Sequence, residues 1–174
     1  AICTGSATTL TATSVGSAAI NWYSAATGGP ILATSTTGVG VSYTPPVAGS
    51  FIYFAEAVNA LPCPSIARTA TAAITVTDIP AAPTSVTVSP TIICIGASAN
   101  INATSVGNNI RWYTVATGGS SVGTSASAAN FAVTPTATTI YYAEAFAAGL
   151  CASLTRTPIT VTVQTIATAP IVSV

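Results

Sequence analysis

The 174-residue sequence predicts an all-β protein built as two tandem β-sandwich domains. Three observations predict it. Asn21-Trp22-Tyr23-Ser24-Ala25-Ala26-Thr27-Gly28-Gly29 recurs with small changes as Arg111-Trp112-Tyr113-Thr114-Val115-Ala116-Thr117-Gly118-Gly119, and these stretches hold both tryptophans. Each is a β-prone aromatic run closed by a turn signal. Short runs of this kind alternate with turn signals about every ten residues, the spacing of a sandwich. No window of useful length carries a 3.6-residue apolar period, so essentially no helix is expected.

Composition narrows the function. Apolar residues make up 50%, enough for a core, but charged residues only 3%, against about 25% in an ordinary globular chain. Lys, His and Met are absent, and the net charge is zero. There is no electrostatic handle for nucleic acid or an anionic membrane, and little self-repulsion to oppose association. The mean hydropathy is +0.69. Polar residues nevertheless interrupt every apolar run before the roughly 18 residues that a spanning helix needs. No secretory leader is recognisable. Ala1 reads as a mature N-terminus or as a cut in a longer chain.

Internal similarity sets the domain count. Cys3 answers to Cys94, Trp22 to Trp112, Glu56 to Glu144, Cys63 to Cys151 and Arg68 to Arg156, at offsets of 88 to 91 residues. Domains are expected at 1–79 and 80–168, joined by the Pro-rich stretch Asp78–Pro83, with 169–174 as a separate C-terminal strand. In the first half, strands are expected at Thr8–Ser14 (B), Ala19–Ala25 (C), Ile31–Ser35 (C′), Val41–Thr44 (E), Phe51–Val58 (F) and Arg68–Thr77 (G). The second half has them at Asn100–Ser105, Ile110–Val115, Ser121–Thr124, Phe131–Thr134, Thr139–Phe146 and Thr155–Val163.

The two-residue strand period assigns faces. Trp22 and Trp112 point inward. If Glu56 faces water, Tyr53, Ala55 and Ala57 face the core, as do Tyr141, Ala143 and Ala145. Leu10 and Ile101 are the core positions of strand B. Trp on C followed by Tyr-x-small on F is the immunoglobulin plan, so two tandem immunoglobulin-like sandwiches are expected.

Four cysteines suggest disulfides in an oxidising compartment. Of the three pairings, the repeat favours Cys3–Cys63 and Cys94–Cys151, each closing a loop of about 60 residues for roughly 4 kcal/mol. Glu56 and Arg68 are symmetric about position 62 and Glu144 and Arg156 about position 150. Antiparallel hairpins would set them opposite one another as exposed ion pairs, useful mainly for register. The first half carries three extra residues after Arg68, an odd insertion that predicts an irregularity near Thr71–Ala73.

The chain ends suggest assembly. Ala82–Pro90 reads as strand A of the second domain, and the first domain has no counterpart. The segment Ala169–Val174 reads as another strand A. Ile171, Val172, Ser173 and Val174 would then complete the first domain of the next copy. Two repeats cut from a long covalent array explain the ends equally well.

Taken together, Cys-x-Gly at Cys3–Gly5 and Cys94–Gly96, Trp-Tyr-x-x-Ala-Thr-Gly-Gly, Tyr-(Tyr/Phe)-Ala-Glu-Ala and the Cys-x-Ser-x-x-Arg-Thr hairpin resemble the bacterial Ig-like repeats of Bacteroidetes-type secreted and cell-surface proteins. The resemblance covers nearly the whole chain twice. It implies an extracellular location and a spacer or adhesive role, and it offers no catalytic residue.

The residues themselves supply no catalytic apparatus. Without His or Lys there is no activated Ser or Cys nucleophile. Glu56 and Glu144 sit at one position of two separate domains, which does not suit a glycosidase pair. The cysteines lack zinc spacing, the lone Asp builds no calcium loop, and the Gly-Gly pairs are turns rather than phosphate cradles. Neither cofactor nor metal is expected. Tyr23, Tyr43, Tyr113 and Phe54 read first as cover for the sandwich or a neighbouring subunit, and second as a sugar-stacking face. Asn102-Ala103-Thr104 matches a glycosylation sequon. The expected function is a non-catalytic surface filament or adhesin stalk whose partners are further copies, neighbouring repeats or surface glycans. The alternative is a carbohydrate-binding or spacer module on a secreted enzyme.

Overall fold

A computed structural model of the chain describes residues 1–16, 18–60, 63–147 and 151–172, and every regular element among them is a strand. The chain divides into two compact units, Ala1–Asp78 and Ile79–Val174.

Unit 1 contains β1 (Ile2–Cys3), β2 (Thr8–Leu10), β3 (Ala19–Tyr23), β4 (Ala33–Ser35), β5 (Val41–Tyr43), β6 (Gly49–Phe51), β7 (Phe54–Val58), β8 (Thr69–Ala70) and β9 (Ile74–Thr77). Unit 2 contains β10 (Thr84–Ser89), β11 (Ile92–Cys94), β12 (Ala99–Thr104), β13 (Asn109–Tyr113), β14 (Gly123–Ala126), β15 (Phe131–Val133), β16 (Thr139–Phe146) and β17 (Thr157–Gln164).

In unit 2 a three-stranded sheet, β10-β12-β15, faces a five-stranded sheet, β11-β17-β16-β13-β14. This is an immunoglobulin-like sandwich with strands A, B and E on one side and A′, G, F, C and C′ on the other. In unit 1 the same plan is reduced. Strands β2 and β5 pair alone, and the facing sheet is split into β4-β3-β7-β8 and β1-β9-β6. Strand G breaks at residues 71–73, where the odd insertion falls, and strand F breaks beside it at 52–53. The Thr71 amide donates to Tyr53 O across the break at 2.8 Å, and the Thr71 hydroxyl accepts from Tyr53 N at 3.1 Å. The side chain thus replaces a lost ladder bond.

Each core is organised by an indole facing an alanine. Trp22 pairs with Ala55 and Trp112 with Ala143, while Ile20 and Ile110 pair with Ala57 and Ala145. The small F-strand residues leave the volume that the large C-strand residues fill. Trp22 and Trp112 are buried, and their Nε1 groups donate to Ser35 Oγ at 3.2 Å and Ser125 Oγ at 3.1 Å. Leu10, Ile101, Tyr53 and Tyr141 are buried in the same cores.

The largest departure from expectation concerns the cysteines. Cys63 and Cys94 are exposed free thiols, whereas Cys3 and Cys151 are disulfide-bonded. The pairings Cys3–Cys63 and Cys94–Cys151 are therefore not formed. The missing information was the pair of short A′ strands, β1 and β11. Each runs parallel to strand G, and the register sets Cys3 against Thr77 and Cys94 against Gln164, the last residues of G. Cys63 and Cys151 precede strand G, in the F–G connection. Eight residues of β17 span about 26 Å, whereas a disulfide needs Cα atoms within roughly 7 Å. The two cysteines of one unit lie at opposite poles. Strands of two or three residues leave no periodic trace, which is why β1 and β11 were not legible.

Strand C′ also differs. It covers Ala33–Ser35 and Gly123–Ala126 rather than Ile31–Ser35 and Ser121–Thr124, because the preceding turn takes up the first residues. Leu32 N and Val122 N donate back to Trp22 O and Trp112 O to close it.

Ala143 is fully buried against Trp112, whereas Ala55 is only half-buried against Trp22. Ala143→Leu is expected to cost about 1–3 kcal/mol by overpacking, and Ala55→Leu clearly less. Urea denaturation of the two variants, followed by fluorescence, checks the asymmetry.

Candidate functional site

The two repeated motifs converge on one cluster in each unit. The Tyr after the core Trp lies on the outer face of strand C, and the F-strand Glu stands beside it. The Tyr23 hydroxyl donates to Glu56 Oε2 at 2.7 Å, and Tyr113 to Glu144 Oε1 at 2.9 Å. Arg68 Nε lies 3.4 Å from Glu56 Oε1, and Arg156 Nε 3.1 Å from Glu144 Oε2. Each guanidinium also stacks on the tyrosine ring, at 3.2 Å in unit 1 and 3.3 Å in unit 2.

The remaining guanidinium hydrogens reach the Thr-Gly-Gly turn. Arg68 Nη1 donates to Ala25 O at 2.9 Å and Gly28 O at 2.6 Å. Arg156 Nη1 donates to Val115 O at 3.0 Å and Gly118 O at 2.8 Å. Gly28, Gly29, Gly118 and Gly119 all have φ between 63° and 78°, the left-handed region that lets the turn present these carbonyls. Tyr, Gly-Gly, Glu and Arg thus form one clamp joining the C–C′ turn to the F–G hairpin.

The clamp differs from the sequence expectation in its burial. Glu144 is 8% exposed, and the Arg156 side chain 9%. Glu56 was expected to face open water, but the stacked Arg and Tyr half-cover it. Arg111, for which unit 1 has Asn21, adds a second cation 3.8 Å from Glu144. The clamp also accounts for two of the four candidate aromatic residues; Tyr43 packs edge-on against Tyr53, and Phe54 is half-buried. Tyr23 and Tyr113 are buried beneath guanidinium groups, so neither offers a free ring face.

Burial, together with the hydrogen bond to the carboxylate, holds the Tyr23 and Tyr113 hydroxyls above their ordinary value of 10.0. Burial does the same for Tyr53 and Tyr141. A raised tyrosine favours the neutral form in the folded state. Its stabilisation is complete below about pH 10 and is lost as pH rises through the folded value. With no lysine titrating in that window, denaturation midpoints are expected to fall above pH 10, and Tyr113→Phe to flatten the fall. Arg156→Met leaves Glu144 short of its main partner and is expected to cost about 3 kcal/mol in the same denaturation assay.

The second feature belongs to unit 1 alone. In unit 2, β10 lies against β12, with Thr84 opposite Thr104 and Val88 opposite Ile101. Its Val86 and Val88 pack on the core. Among the described residues of unit 1, no strand takes this position. Instead a groove of about 420 Å³ runs between Thr11–Ser14, the continuation of strand B, and Thr69–Thr71 at the start of strand G. Trp22, Ala55 and Ala57 line its floor. Ala12, Ala55 and Ala57 are half-buried there, whereas Ala103, Ala143 and Ala145 are fully buried in unit 2.

Of the residues expected to fill such a groove, Ile171 is 98% exposed and Val172 85% exposed. Ser173 and Val174 lie outside the described residues. The sequon asparagine is engaged: Asn102 Nδ2 donates to Ala128 O at 2.7 Å and to Asn130 Oδ1 at 3.1 Å. No group of three or more potential metal ligands occurs among the described residues.

The fold is similar to that of solved fibronectin(III)-like modules. The solved fibronectin(III)-like modules of Clostridium thermocellum CbhA are 15% identical, with a TM-score of 0.54, over 94% of this chain and 88% of that one. Murine CEACAM1b is 14% identical with a TM-score of 0.43, over 95% of each chain. No curated protein matches the sequence. The model of the family described as "Ig-like domain CHU_C associated", a Bacteroidetes-type domain, matches residues 1–77 and again 80–164. The chain therefore belongs to the CHU_C-associated Ig-like family and carries two consecutive copies of its domain.

Proposed function

We propose that the chain is a non-catalytic extracellular building unit that assembles head to tail by β-strand donation. Tandem immunoglobulin-like or fibronectin-like domains fit a structural or spacer module, and domains of this kind are typically non-catalytic. CHU_C-associated domains are typically extracellular, with which a disulfide agrees.

One observation carries the assembly reading: the groove of unit 1 lies where β10 lies in unit 2. The donor is the C-terminal segment of another copy. Ala169-Pro170-Ile171-Val172-Ser173-Val174 repeats Ala82-Pro83-Thr84-(Ser85)-Val86-Thr87-Val88, less one residue. The residue left out falls at Ser85, where the β10–β12 register shifts and φ is 49°. The donated strand would place Val172 and Val174 where Val86 and Val88 pack. Backbone ladder bonds would supply affinity, and the alternating valines register. A head-to-tail contact of this kind is open-ended and yields filaments.

The covering of Tyr23 and Tyr113 by guanidinium groups, which leaves no open aromatic platform at these two residues, favours a stalk over a sugar-binding module. Deletion of Ala169–Val174 is expected to convert polymers to monomers by light scattering and electron microscopy. A synthetic peptide of that sequence should then bind the truncated chain, and Ala57→Arg in the groove should abolish that binding. Unchanged polymers after deletion would remove the proposal.

A further inference from the structure

The four cysteines occupy two positions, not four. Cys3 and Cys94 lie beside the end of strand G, and Cys63 and Cys151 lie in the F–G connection at the other pole. One cysteine of each kind is disulfide-bonded, Cys3 and Cys151, and one of each kind is an exposed free thiol, Cys94 and Cys63. The bonded ones are the G-end cysteine of unit 1 and the F–G cysteine of unit 2. The free ones are the G-end cysteine of unit 2 and the F–G cysteine of unit 1.

We infer that Cys94 of one copy forms a disulfide with Cys63 of the next, locking the filament covalently. This rests on the head-to-tail reading above. The spacing of the chain supports it. Thr77, the register partner of Cys3, stands seven residues before Thr84, which opens β10. Gln164, the register partner of Cys94, stands seven residues before Ile171, which opens the donated segment. The same length of linker therefore leads from a G-end cysteine to a strand-A position in both cases.

The entry point agrees as well. Within unit 2, strand A enters at the pole of the F–G connection: Thr84 opposes Thr104 at the end of strand B, and the Thr157 hydroxyl at the start of β17 donates to Pro83 O at 2.6 Å. The corresponding pole of unit 1 carries a hollow of about 260 Å³ lined by Ser14, Val15, Gly16 and Cys63. Ser14 lines both this hollow and the groove. A donated strand thus enters beside Cys63, trailing a linker that begins beside Cys94.

The bond forms by oxidation of two thiols. Cys94 and Cys63 together give up two protons and two electrons and gain one S–S bond. The oxidant is a disulfide, either a small molecule such as oxidised glutathione or a thiol–disulfide oxidoreductase. Its own S–S bond breaks, and it leaves as two thiols through a mixed-disulfide intermediate. Cys94 and Cys63 are both exposed, so the exchange is not hindered.

The test uses the full chain assembled in oxidised glutathione and run under denaturing conditions without reductant. A ladder of covalent oligomers is expected, collapsing to monomer with dithiothreitol. Trypsin supplies the linkage, because cleavage after Arg68 and Arg111 isolates Cys94 on the peptide Thr69–Arg111. From polymer that peptide should be released only after reduction, and from monomer without it.

Cys63→Ser alone and Cys94→Ser alone should each stay monomeric on the denaturing gel, and their equal mixture should give a covalent dimer. Dimers from Cys63→Ser alone, which would join Cys94 to Cys94, overturn the inference. Regular polymers by electron microscopy without any ladder would overturn the clasp and leave strand donation standing. Monomers in both assays would overturn the two together.

Discussion

Each module depends on keeping one indole dry. Trp22 and Trp112 fill the space left by alanines on the neighbouring F strand, and both donate their N–H groups to a serine on C′. An indole brings the largest apolar surface in these cores, and its burial is what holds the two sheets together. The second sheet covers it from the other side. Unit 2 has β10, β12 and β15 there, and among the described residues unit 1 has β2 and β5. The half-buried alanines of unit 1 and the groove above Trp22 are one consequence of that deficit.

The charged residues serve the same end from the outside. A chain with only six charges places four of them, two Glu and two Arg, in paired clamps over the C–F–G sheet. A buried ion pair seldom adds much stability by itself. Here the guanidinium also stacks on tyrosine and holds turn carbonyls, so its desolvation is offset by several bonds at once. The rest of the described surface is almost uncharged, a mixture of Thr, Ser, Asn and exposed aliphatic side chains such as Ile31, Ile66, Val106 and Leu154. Such a surface leaves little electrostatic repulsion between copies, which would suit the proposed head-to-tail assembly.

In the proposed assembly, strand donation and the cysteine positions would describe one junction from two directions. Donation would set where a linker begins and ends, and the A′ ladders place Cys3 and Cys94 beside the end of strand G. A strand held only by ladder bonds can slide out under load. A disulfide across the same junction would convert that slippage into covalent resistance, a property useful to a fibre outside the cell.

Much of this was legible in the residues themselves. The doubled Trp-Tyr…Gly-Gly stretch announced two copies of one fold, because an aromatic β-run closed by left-handed glycines has few other uses. The odd insertion after Arg68 announced a broken strand G, because the side-chain period is two. Alternation along strand F put Tyr53 and Tyr141 inside. Three matters were decided only by tertiary structure. The burial of Glu144 depends on Arg156 and Tyr113 arriving from other strands to cover it. The groove depends on which edges remain unpaired once both sheets have closed. The cysteine placement depends on β1 and β11, whose two or three residues carry no periodic signal and gain their position only by lying parallel to strand G. Local pattern determines which residues form strands and which way they face; the pole of the sandwich that a short segment reaches is set by its partners, which are distant in sequence.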